Sequence, residues 1–158
     1  MDKKFIVTRE MGKLAKWLRI LGYDCVYFGG TQVADLIIQA LRDKRMLLTR
    51  SAALTKYTGV RVVVVRHDLV EDQLEQVVAE LGLSLDDAAM FERCVECNTP
   101  LEKIEKEKVK GKVPEYVFET QETFKLCPSC GKYFWKGTHW DMVGDWLKNR
   151  GLVDEKGS

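Results

Sequence analysis

An α/β domain built on a parallel sheet flanked by helices, followed by a small cysteine-bound ribbon, is the fold class this sequence predicts. Three observations predict it. Strand-like and helix-like segments alternate over the first 82 residues, and alternation of that length implies parallel strands joined by right-handed helical crossovers. The run from Val60 to Val65 holds five valines and one arginine. That is too uniformly apolar for a half-exposed sheet, so it reads as a central strand covered on both faces. Beyond residue 90 stand two Cys-x2-Cys pairs, Cys94/Cys97 and Cys127/Cys130, each followed by a turn-forming residue, Asn98 and Gly131. That is the pattern of two metal-binding knuckles.

Each element follows in chain order. Residues 4–7 form a short apolar strand. Over residues 11–21, Leu14, Trp17, Leu18 and Leu21 fall at i, i+3, i+4 and i+7, one face of a helix that Gly22 stops. Lys13, Lys16 and Arg19 lie away from that face. Residues 25–28 read as a second strand, and residues 33–42 as a second helix with Val33, Leu36, Ile37, Ala40 and Leu41 inward and Thr31 as its cap. Residues 46–49 give a third strand and residues 60–65 the fourth. The next helix carries Val70, Leu74, Val77, Val78 and Leu81, with capping-box spacing at Asp68 and Glu71 and a stop at Gly82. Residues 99–126 become ribbon hairpin and loop, and the alternating Glu and Lys of residues 101–112 mark an exposed stretch. Val143, Trp146 and Leu147 suggest a last short helix that packs back on the body.

Composition bounds the rest. The 158 residues suit a domain of about 100 residues plus an appendage. With 25 Lys+Arg against 24 Asp+Glu, the net charge of +1 exerts no global pull on nucleic acid, so any basic surface is local. No apolar run approaches the roughly 20 residues that span a bilayer, and no signal-peptide core precedes the first strand. Four of five cysteines fall in the knuckles, and Cys25 reads as a small buried hydrophobe. The expectation is a reduced, cytoplasmic protein without membrane contact.

The cysteine pairs carry the first chemistry. Zinc takes four thiolates in a tetrahedron, and each Cys-x2-Cys turn supplies two of them. Cys94, Cys97, Cys127 and Cys130 therefore read as a closed structural zinc site with no position left for water. A pair of redox dithiols, or four unrelated buried cysteines, are the rival readings.

In open α/β sheets ligands gather beyond the carboxyl ends of the strands. Here those positions are Thr8, Arg9 and Glu10; Gly29 and Gly30; Thr49, Arg50 and Ser51; and Arg66, His67 and Asp68. Gly29-Gly30 reads as a turn, and no phosphate-cradling loop, dinucleotide fingerprint or internal repeat is present.

Several separated blocks then agree with one family in order and spacing. They are Phe5-Ile6-Val7-Thr8-Arg9, the run Gly12 to Arg19, Leu21-Gly22-Tyr23-Asp24, Leu47-Leu48-Thr49-Arg50, the two knuckles, and the trailing Tyr133, Trp135, Gly137, His139 and Trp140. Over about residues 4–142 the chain resembles the PIN-like ribonuclease domain found at the C-terminus of mutator exonucleases, the Mut-seven C-terminal RNase family, of which many members carry a zinc ribbon.

The resemblance implies a PIN-like parallel sheet, RNA as partner, and carboxylates at the strand ends that hold Mg²⁺ or Mn²⁺. Hard divalent cations take oxygen ligands and steady an in-line phosphoryl displacement. This chain departs from the pattern at two positions, where Thr8 and Ser51 stand in place of expected aspartates. A hydroxyl brings no charge. The remaining acids are Asp35, which matches a family acidic position, Asp24 and Asp68, with Glu10 two residues past Thr8. Arg9, Lys13, Lys16, Arg19 and Arg50 are the cations expected to grip phosphates, with Arg19 and Arg50 in the family's motifs. His67 reads as a surface residue beside a helix start, and His139 has no role if four thiolates close the zinc shell. Tyr133, Phe134, Trp135 and Trp140 either stack unpaired bases or fill the ribbon's core, the second being the simpler reading.

The expectation is thus a PIN-like α/β domain over residues 1–90, a zinc ribbon with a C-terminal helix over 91–150 and a flexible tail over 151–158. Its function is that of a ribonuclease-family protein acting on or binding RNA, with hydrolysis weak or lost. The alternative is a non-catalytic RNA-binding or protein-interaction module, with a protein partner or a second copy, on a nuclease fold.

Overall fold

The computed structural model describes residues 3–85 and 89–152, and the side chains of residues 138–142 lie outside that description. Four strands, β1 (Lys4–Val7), β2 (Asp24–Tyr27), β3 (Met46–Thr49) and β4 (Val62–Val64), form an all-parallel sheet in the order β2-β1-β3-β4. Helix α1 (Gly12–Ile20) joins β1 to β2, α2 (Val33–Arg42) joins β2 to β3, and α3 (Val70–Leu81) follows β4.

Strand alternation sorts the core into two faces. Phe5, Val7 and Leu48 point to the side of α1 and α3, where Leu14, Leu18, Leu74, Val77 and Leu81 meet them. Ile6 and Leu47 point to the other side, against Leu36, Ile37 and Ala40 of α2. A single-residue step separates the two sets, as the period of two requires.

Some local expectations change. β4 is an edge strand of this sheet, not a central one. Its valines are apolar because both faces are covered, Val63 and Val65 on the α3 side and Val60 and Val62 on the α2 side. Covered faces, and not flanking strands, set the pattern. Thr31 does not cap α2, whose N-cap is Gln32 without a side-chain bond, and Asp68 does not cap α3, whose N-cap is Leu69. Asp68 is drawn instead to Arg50, at 2.8 Å. Two buried glutamines tie β4 to α3: Gln76 Oε1 accepts the Arg66 N–H and its Nε2 donates to Val64 O, while Gln73 Nε2 donates to His67 O. Gly82 ends α3 in the left-handed region, φ +59°, as its position implies.

The ribbon is a three-stranded antiparallel sheet of β5 (Glu102–Ile104), β6 (Phe124–Leu126) and β7 (Tyr133–Phe134). The insert between the knuckles is more than hairpin and loop. It holds a 3-10 turn, Lys106–Val109, and a short helix α4 (Glu115–Thr120). Val109 and Val117 close with Phe124 on a small core of their own, and the Trp135 ring packs edge-on to Phe124 at 6.3 Å. One inward residue per turn leaves no apolar stripe to read.

The last helix, α5 (Thr138–Asn149), packs on the sheet domain although its sequence follows the ribbon. Leu147 is fully buried in the α1/α3 core, and Trp146 lies against Trp17 with ring centroids 4.8 Å apart. Arg150 pairs with Asp72 and Glu75 of α3, both at 2.9 Å. Leu152 also packs against that core, and residues 153–158 lie outside the described residues.

Candidate active site at the carboxyl edge and four-cysteine metal centre

The chain leaves β1 for β2 on one side and then crosses to β3 on the other, so the strand order reverses between β1 and β3. Adjacent loops diverge at such a point and leave a crevice beyond the carboxyl ends. A cleft of about 260 Å³ lies there. Thr8 and Glu10 line it from the end of β1, Thr49 and Ser51 from the end of β3, and Gln32, Val33 and Leu36 from the start of α2.

Glu10 is the one carboxylate among the residues lining this cleft. Its Oε1 accepts a hydrogen bond from the Thr8 hydroxyl at 2.5 Å, with the Arg50 backbone N–H at 3.4 Å and Thr49 Oγ1 at 3.5 Å. Thr49, fully buried, also accepts the Ser51 N–H at 3.1 Å. Burial raises the pKa of Glu10, but the hydrogen bonds from Thr8, Arg50 and Thr49 outweigh it, and the carboxyl sits below its ordinary value. The threonine at position 8 thus spends its hydroxyl on the neighbouring acid. The result is a single negative group, already held by local donors.

The other acids lie elsewhere. Asp35 is exposed in the first turn of α2 and takes no part in the cleft lining. Asp24 opens β2 in register with Lys4, at the amino end of the sheet, and pairs with Arg45 at 2.7 Å. A hard divalent cation prefers several oxygen ligands of which carboxylates supply the charge, and this donor set fits one poorly.

The expected phosphate-gripping cations separate into three groups. Arg9 and Lys13 are exposed and have no ion-pair partner among the described residues. Lys16 and Arg50 are paired, with Glu96 at 3.4 Å and Asp68 at 2.8 Å. Arg19 departs from expectation. It is 8 % exposed, its Nε donates to Cys25 O at 2.9 Å, and its Nη1 donates to Val95 O and Glu96 O at 2.8 and 3.3 Å. A helical periodicity that placed it off the apolar face did not reveal that the ribbon covers that face.

The second centre is the cysteine cluster. The Sγ atoms of Cys94, Cys97, Cys127 and Cys130 all lie within 4.8 Å of one another. The two knuckles repeat the same local bonds: Asn98 N–H to Cys94 O and Gly131 N–H to Cys127 O, Cys97 N–H to Cys94 Sγ and Cys130 N–H to Cys127 Sγ. Asn98 and Gly131 take φ of +65° and +77°, a left-handed residue that turns the chain away just past each second cysteine. Four sulfurs this close are positioned to hold a metal ion, and without one their thiolates would repel.

The first knuckle also seals the free edge of β2. Asn98 Oδ1 accepts the Cys25 N–H at 3.0 Å, Asn98 Nδ2 donates to Asp24 at 2.7 Å, and Arg19 satisfies the Cys25 carbonyl. From the sequence alone Asn98 reads as a turn former only. An amide in place of the glycine found in the other knuckle was the available signal. Asn98→Gly keeps the turn but strips the Cys25 N–H of its acceptor, and the expected loss is about 1–3 kcal/mol in a denaturant titration. Asp24 offers a pH readout. Burial raises its pKa, yet the Arg45 and Asn98 hydrogen bonds outweigh this and hold it below its ordinary value. Its contribution to stability is therefore full above the ordinary aspartate pKa and lost as pH falls through the depressed one. A thermal melt series should show this acid loss diminished in Asp24→Asn.

The family model of the Mut7-C RNAse domain matches residues 3–147. The chain belongs to that family. The match runs from β1 through both knuckles and into α5, so the PIN-like sheet and the four-cysteine ribbon belong to one family unit. No curated protein and no solved structure matches the chain. No helix among the described residues is long and apolar enough to cross a membrane.

Proposed function

We propose that this member of a ribonuclease family acts on RNA at the carboxyl edge of its sheet with weak hydrolysis, and that the ion of its cysteine cluster is zinc. The observation that carries the first part is the cleft at the β1/β3 reversal, where Thr8 and Ser51 are neutral and Glu10 stands as the lone lining carboxylate. A catalytic cation there would have one acid in place of several, so it would be loosely bound and poorly aimed. Mg²⁺ or Mn²⁺, when bound, supplies charge neutralisation for the transferring phosphoryl group. Glu10 is the lining residue that would hold it, and Asp35, which the resemblance matches to a family acidic position, stands exposed on α2 outside the lining. The chain's own task is binding: Arg9 lines the cleft, Lys13 lines a second groove at α1, and Arg50, past the end of β3, would exchange Asp68 for a phosphate.

Zinc fits the sulfur set. A tetrahedron with Zn–S bonds of about 2.3 Å has edges of about 3.8 Å, and the Cys94 and Cys130 sulfurs stand 3.8 Å apart.

Labelled single-stranded RNA tests the reading. Binding should weaken steeply with added salt, while cleavage in millimolar Mg²⁺ or Mn²⁺ should stay well below about 1 s⁻¹, the lower end of ordinary enzyme turnover. Absence of binding at low salt would overturn it, as would turnover in the ordinary range. Asp35→Asn that cleaves as fast as the parent would remove Asp35 from the account.

A protein-interaction role has one observation in its favour. Ile38 and Leu41 of α2 are 57 % and 48 % exposed, although the helical periodicity places Leu41 inward, and adjacent exposed apolar side chains mark contact surfaces. A homodimer buried on that helix would dissociate in Ile38→Glu, read by light scattering.

A further inference from the structure

A second groove, of about 430 Å³, runs beside the cleft between α1, the end of β2 and the first knuckle. Gly12, Lys13, Lys16, Tyr27 and Glu96 line it. Tyr27 lies outside the first cleft. Its ring is 42 % exposed, yet it is not loose, because its hydroxyl donates to Arg9 O at 2.8 Å. That bond fixes an open aromatic ring between a residue of the first cleft, Arg9, and the two lysines of α1.

Gly12 strengthens the case. It is the first residue of α1 and has ordinary helical backbone angles, φ −59° and ψ −38°, so no turn requires glycine there. A Cβ at that position would stand 3.7 Å from Tyr27 Cε2, in plain contact. Any longer side chain would grow into the space the ring faces. Glycine at a helical position carries a propensity cost relative to alanine, and what it leaves here is an uncovered ring.

We infer that this groove seats an unpaired nucleotide of single-stranded RNA, its base stacked on Tyr27 and its flanking phosphates on Lys13 and Lys16. The inference rests on the RNA-directed reading above and specifies the strand's path toward the cleft. Aromatic rings hold bases of any identity by stacking, and lysines hold the backbone as point charges. Glu96 of the knuckle, 3.4 Å from Lys16, competes with phosphate for that ammonium group. The ribbon is therefore a wall of the groove and a brake on binding, and unpaired RNA is preferred over duplex because only an unpaired base exposes its face.

Anisotropy with a labelled oligouridylate and with an RNA duplex of equal length, in buffer without divalent cations, decides it. Tyr27→Ala should weaken oligouridylate binding at least fivefold, while Tyr27→Phe stays closer to the parent. Lys16→Gln should weaken binding and lower the salt slope by about one phosphate contact. Glu96→Gln should tighten it, which a purely structural Glu96 would not do. All three positions are exposed or half-exposed, and circular dichroism melts verify that each variant is folded. If the parent binds oligouridylate in a salt-dependent way but Tyr27→Ala, Lys16→Gln and Glu96→Gln bind equally well, the groove assignment fails and the RNA-directed reading stands. If the parent binds no RNA at low salt, both fall.

Discussion

Stripping the ion from the four-cysteine cluster will unfold the ribbon and lower the melting temperature of the sheet domain with it. The ribbon has little else to hold it. One of its apolar clusters is Leu101 with the cysteines themselves and Phe134, and the other centres on Val109, Val117 and Phe124. Cores of that size do not stabilise a module of this length unaided. Zinc binding to comparable sites contributes on the order of 10 kcal/mol or more, and that free energy is folding free energy. Loss reaches the sheet because the Cys94–Asn98 turn supplies partners to both polar groups of Cys25 on the edge strand, through Asn98 directly and through Arg19. Chelator-treated protein, assayed for zinc and melted by circular dichroism, should show both effects, and Cys94→Ser should reproduce them. A melting curve unchanged after complete metal removal would contradict the clamp.

Thr8→Asp combined with Ser51→Asp will raise metal-dependent RNA cleavage by about 100-fold in kcat/KM, equivalent to about 2.7 kcal/mol of transition-state stabilisation. Both positions line the cleft with Glu10, so three carboxylates would face one space. Without a cation they repel, and the double variant should melt below the parent in metal-free buffer. With Mg²⁺ that loss should reverse, since a ligand bound only by the folded state stabilises it. The parent should show almost no Mg²⁺-dependent shift. Cleavage no faster in the folded, Mg²⁺-stabilised double variant would place the missing function elsewhere than at these two positions.

The fold was legible where periodicity is strong. Leu14, Leu18, Leu74 and Val77 announce α1 and α3, and the valine run announces a covered strand. The knuckles were legible because Cys-x2-Cys spacing admits few geometries, and Asn98 and Gly131 adopt the turns it requires. What stayed hidden depends on contacts distant in sequence. Arg19 looks like a surface cation until Val95 and Glu96 arrive 76 and 77 positions later to cover it. Thr49 and Thr8 form one hydroxyl pair around Glu10 across 41 positions, and neither residue signals that partnership locally. The helix α4 is six residues long with one fully inward position, Val117, too short for any period to show. The neutral side chains of Thr8 and Ser51 after the strands were visible in the sequence, and the structure adds how Glu10 is tied by Thr8.

With Glu10 as the one carboxylate among its lining residues, the carboxyl-edge cleft is proposed to carry too little negative charge to hold a catalytic cation firmly. Titration of Mn²⁺ into zinc-loaded, RNA-free protein, followed by electron paramagnetic resonance, addresses it most directly. The parent should bind in the millimolar range, and Thr8→Asp with Ser51→Asp at least tenfold more tightly. A micromolar Mn²⁺ site in the parent that disappears in Glu10→Gln would contradict it.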